Sequence, residues 1–326
     1  MKKMRLSKIT AAAAASVLAL TGGAVSGAAE ETTYQVGICQ LVQHVALDAA
    51  TEGFKTALTD KLGDSVTFNE QNAAGDSATC ATITNQFVAD GVDLILANAT
   101  ASLQAAAAAT NEIPVLGTVV TDYATALDMD EWTGVTGTNI SGTSDLAPLA
   151  EQAAMIQELF PDAENIGILY CSAEANSQYQ AQVIMEELKA LGYEAITEYQ
   201  FADSNDVAAV TTSACESSDV LYIPTDNTAA SCTEIIRNVA VPAQVPVVAG
   251  EEGICGGCGV ATLSIDYYDL GYTTGEMAAE ILTEGADVSA MEIQFAPDVT
   301  KKYNPEICEE LGISVPEGYE AMETEE

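Results

Sequence analysis

One histidine, one tryptophan and ten basic residues are all that a chain of 326 residues holds of three side-chain classes on which many functions depend. The single imidazole, His44, excludes an H-E-x-x-H metalloprotease and any centre that needs two histidines. Against the 10 Lys and Arg stand 49 Asp and Glu, a formal net charge of −39. Neutralising a phosphate backbone takes clustered Lys and Arg, so no nucleic-acid partner is expected. Adsorption to an anionic membrane face is disfavoured for the same reason. Aromatic residues make up 6%, and Trp132 is the only tryptophan, which leaves little surface for stacking on sugar rings. No P-loop, no G-x-G-x-x-G and no G-x-S-x-G occurs, so the usual nucleotide-binding and serine-hydrolase signatures are missing. Past residue 29 no apolar run approaches the ~20 residues of a membrane span.

What is present is globular. Hydrophobic residues make up 48% and charged residues 18%, enough apolar material for a core, and the length suits about two domains. Met1–Lys8 carries Lys2, Lys3, Arg5 and Lys8 without an acid, Ile9–Leu20 is apolar and Ala-rich, and Gly22–Ala29 is rich in small residues. This is the pattern of a secretory signal peptide over residues 1–29, with cleavage near Ala28 or Ala29. The alternative, a membrane anchor, is short for a span. Cleavage removes four positive charges and leaves a mature net charge of −43. Leu20-Thr21-Gly22 resembles a lipobox, but Gly23 stands where the lipidated cysteine would be, so an exported protein without a lipid anchor is expected.

Eight cysteines follow: 39, 80, 171, 215, 232, 255, 258 and 308. An oxidising compartment permits disulfides, but spacing alone cannot choose the pairs. Cys255-Gly-Gly-Cys258 is the sharpest pair. A zinc site needs four ligands and there is no second C-x-x-C, while a redox motif opens a helix, which the two glycines oppose. A structural turn is the expectation, with no metal and no cofactor.

Short apolar runs alternate with helical spacings. Strands are expected at 35–40, 66–70, 93–98, 114–119, 165–170, 194–199, 220–224, 246–250 and 260–265. Between them, sets such as Leu47, Ala50, Phe54, Leu58 and Leu62 recur every three or four residues. Alternation of this kind predicts an α/β fold with parallel sheets and helices on both faces. The order also repeats. Val36-Gly-Ile, Asn98-Ala-Thr, Ile113-Pro-Val and Asp122 are echoed by Ile166-Gly-Ile, Asp226-Asn-Thr, Val245-Pro-Val and Glu252, each about 130 residues on. Two similar Rossmann-like lobes are therefore expected.

Ligands of open parallel sheets bind beyond the carboxyl ends of the strands, so two lobes with those ends facing make a cleft. The candidate ligand-binding residues are the polar groups at strand ends: Gln40, His44, Asn98, Thr100, Thr121, Asp122, Ser172, Asn176, Ser177, Thr225, Asp226, Asn227, Glu251 and Asp266. Several have a second reading. Asp226 is either a carboxylate that pairs with a ligand ammonium or a helix N-cap, and Glu251 has the same two readings. The Thr100 hydroxyl and the N–H groups beside it suit a carboxylate, or cap the helix. Tyr123, Tyr179, Tyr267 and Tyr268 are candidates for an aromatic wall. Glu174 stands at a strand end as well, and reads either as a cleft residue or as simply exposed.

The strings Val36-Gly-Ile-Cys-Gln-Leu-Val-Gln-His-Val-Ala-Leu-Asp48, Ala97-Asn-Ala-Thr100, Pro224-Thr-Asp-Asn-Thr228 and Ile265-Asp-Tyr-Tyr-Asp-Leu-Gly271 resemble the ABC-transporter substrate-binding proteins of the tryptophan/tyrosine-binding group. The resemblance runs from about Tyr34 to Tyr319, with Gln43 and Val45 in place of the Glu and Pro that usually flank the histidine. It implies a hinged type I periplasmic-binding fold with three crossovers, no catalytic step, and delivery of a small ligand, an aromatic amino acid foremost, to a membrane permease. The matching positions are Gln40, His44, Thr100, Asp226, Asn227 and Asp266. Crossovers are expected near 139–144, 264–267 and 295–299, giving lobe 1 as 34–140 plus 267–294, lobe 2 as 141–266 plus 296–319, and a frayed acidic tail at 320–326. A monomer is expected. A sugar or nucleoside ligand, or a sensor with the same fold, are the alternatives.

Overall fold

In the computed structural model of the protein, residues 33–296 and 299–322 are described. The expected signal peptide lies outside them. In chain order the first half runs β1 (Tyr34–Gln40), α1 (Val45–Leu62), β2 (Val66–Asn72), α2 (Ser77–Asp90), β3 (Leu94–Asn98), α3 (Thr100–Ala109), β4 (Val115–Val120), α4 (Tyr123–Ala126) and β5 (Ile140–Ser144). Next come α5 (Leu149–Leu159), β6 (Asn165–Cys171), α6 (Ala175–Ala190), β7 (Ala195–Phe201), α7 (Val207–Cys215), β8 (Val220–Ile223), α8 (Asn227–Ala230), α9 (Thr233–Ala240), β9 (Val247–Ala249), α10 (Glu252–Cys258) and β10 (Ala261–Ser264). The chain ends with α11 (Tyr267–Glu284), β11 (Gln294–Phe295), β12 (Thr300–Tyr303), α12 (Pro305–Leu311) and β13 (Glu320–Ala321).

The helices start and stop where side-chain chemistry says they should. Asp76 accepts from Thr79 N at 2.6 Å to open α2, and Gly91, at φ 68°, closes it. Asn304 opens α12 with Pro305 in its first turn, and Gly312, at φ 67°, ends it. The left-handed conformation at these closing positions is one that glycine adopts without a Cβ penalty. The central strands β3, β4 and β8 are buried at every residue, as parallel strands covered on both faces must be.

Two sheets result. The first has the order β11-β5-β4-β3-β1-β2, with every pairing parallel. The second has the order β13-β12-β10-β9-β8-β6-β7, in which β12 is antiparallel to β10. The run β2-β1-β3-β4-β5 is matched by β7-β6-β8-β9-β10, which is the repeat read from the sequence. Each sheet reverses its strand order beside its first strand, so the topological switch points lie beyond β1 and β3 and beyond β6 and β8. The protein is an α/β chain of two Rossmann-like lobes.

Three expectations are corrected. Ile140–Ser144 is not a crossover but β5, a strand of the first sheet, and the chain passes to the second lobe only after Ser144. Its sequence, I-S-G-T-S, lacks an apolar run because its hydroxyls are paired: Thr143 Oγ1 lies 2.8 Å from Thr274 Oγ1 and 3.2 Å from Thr118 Oγ1. The Cys255–Cys258 segment is helical, not a turn. A Cβ on Gly257 would sit 2.3 Å from Thr233 Oγ1, so this glycine lets α10 lie close against the start of α9. All eight thiols are free. Finally, Glu320–Ala321 of the expected tail pairs with β12, while 323–326 lie outside the described residues.

Helices α1 and α11 bring the cleft together. They meet backbone to backbone through Gly53, Gly271 and Gly275; a Cβ on Gly271 would lie 1.9 Å from Ala50 O. The residue before α1 is His44 and the first residue of α11 is Tyr267, so this contact sets two cleft side chains side by side. Gly271→Ala should lower the unfolding free energy by about 3 kcal/mol, because backbone cannot yield as a flexible side chain can. Gly256→Ala, whose Cβ meets only Met322 Cε at 3.3 Å, should leave it within about 0.5 kcal/mol. Urea melts of the two variants check the contrast; equal stabilities would contradict it.

Candidate functional site

Between the lobes lies a pocket of about 270 Å³, opening included, lined by His44, Ala46, Val119, Thr121, Asp145 and Tyr267 on one side and by Asn176, Thr225, Asp226, Asn227, Ala230 and Glu251 on the other. Of this only about 10 Å³ is space that a water-sized sphere can occupy, room for about one water molecule, so the two lobes are drawn closely together here. Seven of the fourteen candidates thus meet here: His44, Thr121, Asn176, Thr225, Asp226, Asn227 and Glu251.

The other seven stand elsewhere. Gln40 is spent inside the first lobe, where its amide donates to Asp48 Oδ1 at 2.6 Å and accepts from Thr51 Oγ1 at 2.7 Å. Asn98 donates to Leu47 O at 2.8 Å and to Thr51 Oγ1 at 2.9 Å. Thr100 opens α3, buried, with its hydroxyl unpaired and away from the pocket lining. Asp122 caps α4 through Thr125 N at 2.7 Å, and Asp266 caps α11 through Asp269 N at 2.9 Å on the rim of a wider groove. Ser172 donates to Phe201 O at 3.2 Å, and Ser177 is buried behind the pocket against Asp226. Of the four tyrosines, Tyr267 lines the pocket; Tyr123 is buried in the first lobe, stacked on Trp132 at 6.5 Å.

Two side chains outside the fourteen candidates matter most. Glu174 is buried, because it turns back onto the start of α8. It accepts from Asn227 N at 3.0 Å, Asn227 Nδ2 at 2.7 Å, Thr228 N at 2.8 Å and Thr228 Oγ1 at 2.7 Å. Asp145 follows β5 and is 1% exposed. Its Oδ2 accepts from Tyr267 Oη at 3.3 Å, and its Oδ1 has no partner. The only signal for it was its place at the end of a strand, and that strand carried no apolar run.

The lobes touch across the pocket. His44 Nε2 lies 3.2 Å from Asn227 Oδ1, and Gln180 Nε2 lies 3.5 Å from Thr121 Oγ1. Asn227 Nδ2 already donates to Glu174, so Asn227 Oδ1 faces His44 and accepts. The histidine proton therefore sits on Nε2, and the buried, unpartnered Nδ1 is an acceptor. Burial holds the imidazole below its ordinary pKa, so the ring is neutral. The backbone is strained nearby: Val119 has φ 53° at a register shift in β4, and Ala99 has φ 85°. A β-branched residue in that region is an outlier of the kind that clusters at ligand sites.

The acids dominate the electrostatics. Asp226 is an N-cap: Oδ1 accepts from Ala229 N at 2.8 Å and Oδ2 from Cys171 N at 2.6 Å. Glu251 caps α10 through Gly253 N at 2.6 Å and Ile254 N. Burial raises Asp145 to about 6 and Glu251 to about 7, and burial with the neighbouring Glu174 raises Asp226 to about 8. None of the described basic residues, Lys55, Lys61, Lys189, Arg237, Lys301 and Lys302, lines the pocket.

Two α/β lobes with a pocket between them are the architecture of type I periplasmic binding proteins. The chain matches the family of ABC transporter substrate binding proteins over residues 35–325, and it belongs to that family. It is 39% identical over 256 residues to a tyrosine-binding protein of Clostridioides difficile, covering 78% of this chain and 73% of that one. It superposes with a TM-score of 0.84 on an ABC domain from Streptococcus pneumonia solved in complex with L-Trp, at 28% identity, covering 89% of this chain and all of the other. With a ligand-free, open substrate-binding protein with adhesive properties from Clostridium difficile the identity is 36%, the coverage is 90% of this chain and 100% of that one, and the TM-score is 0.67. Among the described residues no helix is long and apolar enough to cross a membrane.

The raised acids fix a pH dependence. An acid whose pKa is higher folded than unfolded stabilises fully below its unfolded value, and that contribution is lost as pH rises through the folded one. Asp145, Glu251 and Asp226 place the loss between about pH 4 and 8. His44, with its lowered pKa, works the other way below about 6.5, one group against three. Ligand-free protein should therefore melt higher at pH 5.5 than at pH 8 in calorimetry; a melting point that rises with pH over that interval would contradict the assignment.

Proposed function

We propose that this chain binds a free aromatic L-amino acid in the interlobe pocket by hinge closure and delivers it to the permease of an ABC importer. The observation that carries the reading is a pair of buried acceptors without donors on one pocket wall, Asp145 Oδ1 and His44 Nδ1. A primary ammonium brings three N–H donors and the positive charge that the surrounding acids lack. Asp145 is the counter-ion in this account, His44 the second acceptor, and Asp226, Glu174 and Glu251 hold the walls through backbone N–H groups. Tyr267, Val119, Ala46 and Ala230 supply the apolar side that a ring needs.

The relatives support the ligand class, since one is a tyrosine-binding protein and another was solved with L-Trp. Hinge closure is supported by the direct contacts between the lobes, and by the better superposition on the L-Trp complex than on the open, ligand-free protein of higher identity. His44 is held by an amide rather than by a hydroxyl or thiol, which supports binding without catalysis. The signal-like residues 1–29 and the family support work outside the cytoplasmic membrane.

L-Tyr, L-Trp or L-Phe should raise the melting temperature of ligand-stripped protein, with a gain of about 2.7 kcal/mol at 100 times the dissociation constant. Asp145→Asn should weaken binding at least about thirtyfold in calorimetric titration while leaving the fold at least as stable, because it removes a buried, uncompensated charge. Unchanged affinity in this variant would overturn the assignment of the ammonium partner. A melting shift with a purine nucleoside or a sugar and none with the amino acids would overturn the ligand class.

A further inference from the structure

Two thiols of the first lobe take no part in the pocket, and they meet. Cys39 on β1 and Cys80 on α2 are both fully buried and converge on one polar partner. Both also face one hydroxyl: Ser102 Oγ on α3 is 3.6 Å from Cys39 Sγ and 3.5 Å from Cys80 Sγ. Three other buried thiols point to backbone instead, Cys258 to Ile254 O at 3.4 Å, Cys308 to Val260 O at 3.5 Å and Cys171 to Ala202 O at 3.5 Å. The two sulfurs differ in acidity. Burial and the neighbouring sulfur push the Cys39 thiol up, while hydrogen bonding lowers Cys80, so Cys80 is the more acidic of the two and the first to supply a thiolate.

We propose that Cys39 and Cys80 are a reversible dithiol–disulfide pair that cross-links β1 to α2 when the protein meets a small-molecule disulfide. The Cys80 thiolate attacks one sulfur of the oxidant and expels its first thiolate. Cys39 then loses its proton, attacks the Cys80 sulfur of the mixed disulfide and expels the second thiolate. One S–S bond breaks and one forms, two thiol protons pass to the expelled thiolates, the protein loses two electrons and the oxidant is reduced to two thiols. Ser102 holds the two sulfurs together before the reaction. The bond closes a loop of about 40 residues and pins β1 directly before Gln40, whose amide ties down Asp48 and Thr51 in α1. Because both sulfurs are buried, exchange waits on α2 lifting from the sheet, so the bridge forms slowly on folded protein and readily during refolding.

The test is to refold the full chain with oxidised glutathione at about pH 8, cap remaining thiols with a maleimide, and map the peptides by mass spectrometry. The expected result is a Cys39–Cys80 cross-link with the other six cysteines capped. The bridged form should melt roughly 5–10 °C higher, and dithiothreitol should reverse the shift. Ser102→Ala should slow the bridging several-fold. Capped Cys39 and Cys80 after refolding, or a bridge that joins either of them to another cysteine, would overturn the proposal. The peptide map of the unmodified chain decides this without relying on any variant to fold.

Discussion

Four carboxyl groups, those of Asp145, Glu174, Asp226 and Glu251, are buried around one small pocket with no basic residue among its lining. Burying an acid without a compensating charge or hydrogen bonds is costly, and the local architecture is arranged around that cost. Three of the four are answered by backbone N–H groups at helix starts: Asp226 and Glu174 at α8, Glu251 at α10. These are places where unpaired N–H groups and the helix dipole favour a negative charge. Asp145 accepts a side-chain hydrogen bond from the Tyr267 hydroxyl and keeps one bare oxygen. The acids are thus unequal, with three satisfied internally and one carboxyl oxygen left for something from outside.

The fold supplies that asymmetry economically. Parallel strands that reverse order at β1/β3 and β6/β8 send both switch points to the same cleft. The second lobe contributes capped, internally bonded helix starts. The first contributes His44 and Tyr267, set next to each other by the glycine-mediated contact of α1 with α11. The chain Glu174–Asn227–His44 crosses the cleft and fixes the histidine tautomer from the opposite lobe, so closing the lobes creates the second acceptor as well as the enclosure. A ligand that engages Asp145 and His44 Nδ1 therefore binds the closed form better than the open one, which is the differential affinity that a hinge needs in order to be shifted.

Much of this was legible in the sequence, for identifiable reasons. Strands such as Leu94–Asn98 are apolar runs ended by polar residues, and their repetition about 130 residues on gave the two lobes. The strand Ile140–Ser144 was not legible, since hydroxyls paired across the core replace its apolar side chains. With it went Asp145, whose meaning depends on being at a strand end. Glu174 was left between cleft and surface because local sequence does not show a side chain folding back onto a helix 53 residues away. Gln40 and Asn98 sit at strand ends as a site residue would, yet their amides are used to anchor α1 to the first sheet. A strand-end position thus marks where polar groups gather, while hydrogen-bond satisfaction decides which of them are left for a ligand.

The central claim is that this pocket reads a ligand's ammonium through Asp145 and His44. Titration calorimetry with L-tyrosine and N-acetyl-L-tyrosine at pH 7.5 tests it most directly, because acetylation removes the positive charge and two of the three N–H donors while leaving ring and carboxylate in place. The account predicts measurable binding of the free amino acid and a loss of at least about thirtyfold on acetylation. Equal affinities for the two compounds would contradict it.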